Sequence, residues 1–134
     1  VDALPVSVEA SAGAEAIRLI DVLWLERVVT NGSETTRVTA AFEVEHTTSI
    51  YSGIVRMLDL ALGVPDHAGV RLFLVAPDAR EDDVRQQLAR PAFRRVADLS
   101  VRFLPYGELE KNRESMARFG TGLKAVAAVS RVLV

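Results

Sequence analysis

The chain has no cysteine among its 134 residues, which excludes disulfides, thiolate metal sites and a thiol nucleophile. Histidine is scarce as well, with only His46 and His67, so no zinc motif and no Ser-His-Asp triad can be assembled. No P-loop or helix-turn-helix signature is present. No apolar run approaches the roughly 20 residues that span a bilayer, so no membrane segment is expected. The opening VDALPVSVEASAG lacks the basic start and continuous apolar stretch of a signal peptide. It also lacks an initiator Met, as expected of a fragment of a longer protein or of a processed start. A reducing, cytoplasmic setting is the expectation. Lysine is nearly missing: of 16 basic residues 14 are Arg, leaving Lys111 and Lys124. Arg suits bidentate contact with phosphate, although a GC-rich genome would favour its codons too.

What is present belongs to an ordinary folded domain. The 49% hydrophobic and 25% charged content is typical, and the length supports one core. One domain over 1–134 is expected, with an irregular lead-in at 1–14. The net charge of −2 hides an asymmetry. Residues 1–60 hold 4 Lys/Arg against 9 Asp/Glu, whereas residues 61–134 hold 12 against 9.

Along the chain, IRLIDVLWL (17–25) is rich in aliphatic residues and reads as a strand. Asn31-Gly32 within VTNGSETT is a strong hairpin signal, leading into a second strand, RVTAAFEVEHT (37–47). SIYSGIVRMLDLALG (49–63) places Tyr51, Val55, Leu58 and Leu62 at helical spacing, with Gly63 and Pro65 as its stop. VRLFLVAP (70–77) is a continuous apolar run, as a central strand covered on both faces requires. Asp78 and Glu81 form a capping box for the helix EDDVRQQLA, and AFRRVA after Pro91 is a further turn. LSVRFLP (99–105) is the last strand. Helices are predicted within 107–118 and, capped by Thr121, over GLKAVAAVSRVLV. The order β-β-α-β-α-β-α predicts an α/β fold, a mixed central sheet flanked by helices.

Three acids stand out. Read as a strand, IRLIDVLWL sets Asp21 on one face with Ile17, Leu19, Leu23 and Leu25. The second strand sets Glu43, Glu45 and Thr47 together with Ala41. An acid within an apolar face is costly unless it is paired or holds a metal. If the two strands are neighbours across the Asn31-Gly32 turn, Asp21, Glu43 and Glu45 converge at one end of a sheet. Such a cluster is a hard, oxygen-rich site suited to Mg²⁺ or Mn²⁺, which would relieve its repulsion. The plain alternative is an edge strand with both Glu residues in solvent and Asp21 paired with an Arg. Against it, Asp21 sits inside its apolar run, and FEVE leads at once through HTTSIYSG into a helix.

These residues resemble the PD-(D/E)XK nuclease superfamily, the restriction-endonuclease-like fold. There an Asp on one strand and an acid-x-Lys pair on the next hold a metal and activate water. Here IDVLWL supplies Asp21, and FEVEHTTSIYSGIVRMLDL supplies Glu43, the second strand and the following helix. The resemblance covers residues 17–105. Two departures stand out. Glu45 occupies the position of the usual Lys; some active restriction enzymes of the superfamily also carry Glu there. The family's core also begins with a helix that residues 1–14 do not show, so that helix either precedes this chain or is replaced. The resemblance implies a metal-dependent nuclease acting on nucleic acid, DNA foremost, in a restriction, repair or defence context. A homodimer or an additional domain would fit it.

Further candidates surround the acids. Glu45 is assigned to metal or water, as general base or second ligand. Thr47, on the same strand face, could orient the water or a phosphate. His46 points the other way and reads as a core or surface residue. Ser52, Arg56 and Asp59 form a polar stripe on the helix. Arg56 could reach a phosphate at the metal or simply pair with Asp59. Gly53 implies close backbone approach, by substrate or by a neighbouring strand, and Tyr51 reads as core. Arg85, Arg90, Arg94, Arg95 and Arg102 could follow a nucleic-acid backbone or form a solvated face; Arg94 and Arg95 are the leading contacts among them. Besides an active nuclease, two classes remain open. One is a nuclease-fold domain that only binds nucleic acid or a protein. The other is a different hydrolase using two carboxylates.

Overall fold

The structure is a computed structural model that describes residues 4–45, 49–64, 69–94, 99–119 and 122–133. Its sheet is organised by the hairpin. Asn31 and Gly32 both have positive φ, 51° and 79°, the conformation that a type I′ turn demands and that Asn-Gly supplies at least cost. The turn joins β1 (Val22–Thr30) to β2 (Ser33–Val44) in antiparallel register. The pairing shifts between Trp24 and Leu25, which face Ala40 and Val38, so that Thr39 is the extra residue of a bulge. β3 (Arg71–Ala76) pairs parallel with β2, and β4 (Arg102–Pro105) pairs parallel with β3. The strand order is β1-β2-β3-β4. This is an α/β fold, a mixed four-stranded sheet with flanking helices, compatible with the restriction-endonuclease-like architecture.

Side-chain alternation gives the sheet two chemically distinct faces. On one, Ala41, Leu72 and Leu74 meet α3 (Ile50–Gly63), which buries Ile54, Met57 and Leu60 completely. Each such side chain is worth about 1.5–3 kcal/mol of burial. Two short helices, α1 (Val6–Glu9) and α2 (Ala14–Ile17), add Val8 and Ile17 to that core. A 3₁₀ turn at Asp78–Arg80 leads into α4 (Glu81–Leu88), and α5 (Pro91–Arg94) follows, contributing Val84 and Phe93. On the other face Ala40, Phe42, Phe73, Val75 and Leu104 form a second cluster with Val126. There Phe42 stacks on Phe73 at 4.9 Å and meets Trp24 at 4.8 Å. α6 (Tyr106–Phe119) and α7 (Leu123–Val129) supply Leu109, Leu123 and Val126 to this side. An open apolar groove of about 290 Å³ remains among residues that include Val22, Trp24, Phe42, Val44, Val75 and Leu104.

Several expectations are corrected. Residues 17–21 are not strand: Ile17 closes α2, and β1 begins at Val22. Ile17 is fully buried in the α3-side core while Leu19 is 67% exposed, so the apolar run reflects a helical turn followed by a bend. The lead-in 1–14 is not irregular throughout, since it holds α1 and the start of α2. β2 starts at Ser33 and ends at Val44. Tyr51 and Leu62 are exposed at 40% and 62%, because α3 buries the face of Ile50, Ile54, Met57 and Ala61. Asp78 does not cap α4. Its Oδ1 accepts the Gly107 N–H of α6 at 2.6 Å, and a Cβ on Gly107 would collide with the same carboxylate. Pro65, His67 and Thr121 lie outside the described residues.

Candidate functional site

The end of β2 carries the acids. The register Val22↔Phe42, continued by one residue, sets Asp21 opposite Glu43. Asp21 lies just before β1, and its Oδ2 accepts the Val44 N–H at 2.7 Å. Glu45 follows β2, and its N–H continues the ladder to Val75 O at 2.7 Å. Glu43 and Glu45 point to the α3 side and are 0% and 2% exposed, whereas Asp21 is exposed. One carboxylate oxygen from each of Asp21, Glu43 and Glu45 lies within 4.8 Å of the others. The structure therefore brings these three together, though Asp21 arrives through strand pairing and not from inside an apolar strand face.

Helix α3 completes the arrangement. Ser49 caps it, its Oγ accepting the Ser52 N–H at 3.2 Å. Gly53 is where the helix backbone meets the acids. A Cβ there would lie 2.8 Å from Glu45 Oε1 and 3.2 Å from Glu43 Cβ, so the close approach is to the neighbouring strand. One turn beyond Ser52, Arg56 grips Glu43 with a fork: Nε donates to Oε1 at 3.0 Å and Nη2 to Oε2 at 2.7 Å. The same Nη2 is 3.6 Å from Glu45 Oε1. Arg56 thus bonds across to Glu43, and not along the helix to Asp59.

Burial pushes the Glu43 carboxyl above its ordinary value. The Arg56 hydrogen bond and charge oppose this, and the charges of Asp21 and Glu45 add to it. Arg56 is raised in turn, chiefly by its hydrogen bond to Glu43. Among the described residues, three carboxylates gather beside Arg56, an arrangement that attracts positive charge.

The remaining candidates disperse. Ser52 is half-buried on α3, one turn from Arg56, and Arg94 is exposed on α5. Thr47, Arg95 and His46 lie outside the described residues. Arg90 stacks over Tyr51, 4.6 Å from the ring centroid, and Tyr51 leans on Phe93 at 5.5 Å. Among the described residues, the arginines of 85–102 are engaged separately. Arg85 pairs with Glu81 and Asp82. Arg102 is tied inward, its Nε donating to Ser130 Oγ at 2.6 Å. Ser49 was not singled out from sequence, although Ser three residues before another small polar residue at a helix start is a capping signal.

The fold is an α/β domain compatible with the restriction-endonuclease-like architecture, and the link to restriction enzymes comes from sequence comparison. The model of the family described as the type II restriction enzyme NmeDI C-terminal domain matches residues 2–125, and the chain belongs to that family. A curated relative, the type II restriction enzyme NmeDI of Neisseria meningitidis serogroup C, is 33% identical over 97 residues, which are 72% of this chain. The match takes in 25% of that enzyme, so the chain spans about a quarter of its length. No solved structure matches the chain.

Proposed function

We propose that this domain is a metal-dependent nuclease that hydrolyses phosphodiester bonds in DNA, within a restriction or defence system. The observation that carries the reading is the convergence of Asp21, Glu43 and Glu45 within 4.8 Å. Hard carboxylate oxygens at that spacing fit Mg²⁺ or Mn²⁺. Two of them are buried beside a single fork from Arg56, an arrangement whose excess negative charge a dication offsets. That the NmeDI relative is a type II restriction enzyme supports a DNA substrate.

A bound ion would supply Lewis acidity and lower the pKa of a coordinated water. Asp21 and Glu43 would hold it, Asp21 being fixed by the Val44 N–H and Glu43 by the sheet. Glu45, at the position of the superfamily's usual Lys, cannot donate as that Lys does. It is assigned to accepting the water's proton or to ligating the ion. The missing positive charge is supplied from the helix by Arg56, whose guanidinium lies between Glu43 and Glu45 and suits a non-bridging phosphate oxygen. Ser52 and the exposed Arg94 are assigned to the flanking phosphates, with Thr47 and Arg95 kept in the roles given above. Among the described residues no helix is long and apolar enough to cross a membrane.

A second reading has its own observation. The Arg56 fork already satisfies both Glu43 oxygens, as it would in a domain that binds nucleic acid or protein without cutting. A cleavage assay on duplex DNA with Mn²⁺, run on the protein in its full length, separates the two. The nuclease reading requires cutting that Asp21→Asn abolishes. Intact DNA under all Mn²⁺ conditions, with retained DNA binding, favours the second.

A further inference from the structure

We propose that Arg56 is a displaceable counter-ion: it holds Glu43 before a divalent cation binds, yields that carboxylate to the cation, and then turns toward the substrate phosphate. This deepens the metal-dependent reading above and rests on it.

The geometry points to exchange, not to coexistence. Both Glu43 oxygens are engaged by the fork, and Nη2 stands between Glu43 Oε2 at 2.7 Å and Glu45 Oε1 at 3.6 Å. The guanidinium thus occupies the Glu43 oxygens that a cation held by Glu43 would need. With M–O contacts of roughly 2.1 Å, an ion on Glu43 Oε2 would lie within about 5 Å of Nη2 if the guanidinium stayed. Two cations at that distance in a largely buried site repel strongly.

The exit is also built. The Arg56 side chain is 23% exposed while the Glu43 and Glu45 side chains are 0% and 3% exposed, so the arginine has a path to solvent and the acids do not. Helix α3 cannot follow it, because Gly53 already sets the helix backbone against Glu45 and Glu43 and its first turn is pinned by the Ser49 cap. The change is confined to one side chain. Arg56 is thereby a placeholder on Glu43 before the ion and a phosphate contact afterwards, and the cation-free protein keeps its buried acids compensated.

Two measurements on the full chain test this. The first is Mn²⁺ titration by calorimetry of wild type, Arg56→Met and Arg56→Lys. Removing the competitor should tighten Mn²⁺ binding by on the order of tenfold to a hundredfold, the factor a charge-assisted hydrogen bond represents. Arg56→Lys, which keeps the charge and loses the fork, should fall between. DNA cleavage should nonetheless drop in Arg56→Met. Should Arg56→Met not fold without metal, Arg56→Lys against wild type carries the comparison. The second measurement needs no variant of Arg56. The Nε–H resonance of Arg56 should be protected without metal and should shift and exchange faster at saturating Mg²⁺, with no such change in Asp21→Asn. Metal binding by wild type with unchanged affinity in both Arg56 variants, or an unmoved Nε–H signal, overturns the exchange and leaves the metal reading intact. No metal binding by wild type or by either variant overturns both.

Discussion

Strand β2 and the residue that follows it send Ala40, Phe42 and Val44 to one face of the sheet and Ala41, Glu43 and Glu45 to the other. On the first face aromatic rings pack together, Phe42 stacked on Phe73 and tilted against Trp24, within an apolar cluster. On the second, two buried carboxylates sit beside a helix backbone and a guanidinium. The apolar face stabilises. The acid face pays in desolvation and repulsion for a site that concentrates negative charge. A protein whose only task was folding would place apolar groups of similar volume at Glu43 and Glu45, which is often neutral or stabilising.

The comparison breaks most visibly at Phe73. Phe73→Ala removes a fully buried ring that stacks on Phe42 and should cost about 3–5 kcal/mol by urea unfolding. Its Mn²⁺ affinity, measured under folding conditions, should stay within twofold, because Phe73 points away from the acids. A large loss of affinity would show that the two faces are not separable.

Next comes Gly53→Val. Its Cβ would press on Glu45 Oε1 and Glu43 Cβ, and overpacking of this kind costs about 1–3 kcal/mol. DNA cleavage should be lost along with it, since the carboxylates must move. Retained cleavage would mean that the close approach of α3 is incidental.

The acid face should also respond to pH. Glu43 is raised from its ordinary 4.5 by burial. A carboxyl raised in the folded state favours folding in its protonated form. Its contribution is fully present below about 4.5 and is lost as pH rises through the folded pKa. In metal-free buffer the stability of wild type relative to Glu43→Gln should therefore grow from neutral pH down toward 4.5. A difference that is flat, or that grows with rising pH, would show that Arg56 outweighs burial.

The smallest effect is expected at the hairpin turn, on neither face. Gly32→Ala forces a Cβ into φ of +79°, a cost of roughly 1 kcal/mol, with cleavage unchanged at a temperature where the protein stays folded. The turn lies at the far end of both strands from the acids.

Reading the sequence was reliable where local chemistry decided the outcome. Asn31-Gly32 makes its turn, the apolar run at 70–77 is β3, and Glu43 and Glu45 share a face because alternation along a strand leaves no choice. It went astray where partners distant in sequence decide. Ile17 and Leu19 carry the composition of a strand, yet Ile17 packs under α3 from a helical turn, because propensity yields to tertiary context. Asp78 has the spacing of a cap for α4 but bonds to Gly107, 29 residues on. The pairing of Arg56 with Glu43 instead of Asp59 was equally hidden, since it depends on how near α3 lies to β2. Tyr51 lies on the helical spacing but faces outward, where Arg90 covers it.

The most direct test of the acid cluster is thermal unfolding with and without Mn²⁺ for wild type and Asp21→Asn. A ligand at 100 times its Kd adds about 2.7 kcal/mol, on the order of 10 °C in Tm for a domain of this size. Asp21, Glu43 and Glu45 acting as one divalent site predict such a rise for wild type and its near-complete loss in Asp21→Asn. Equal rises in both proteins, or none in wild type, would contradict it.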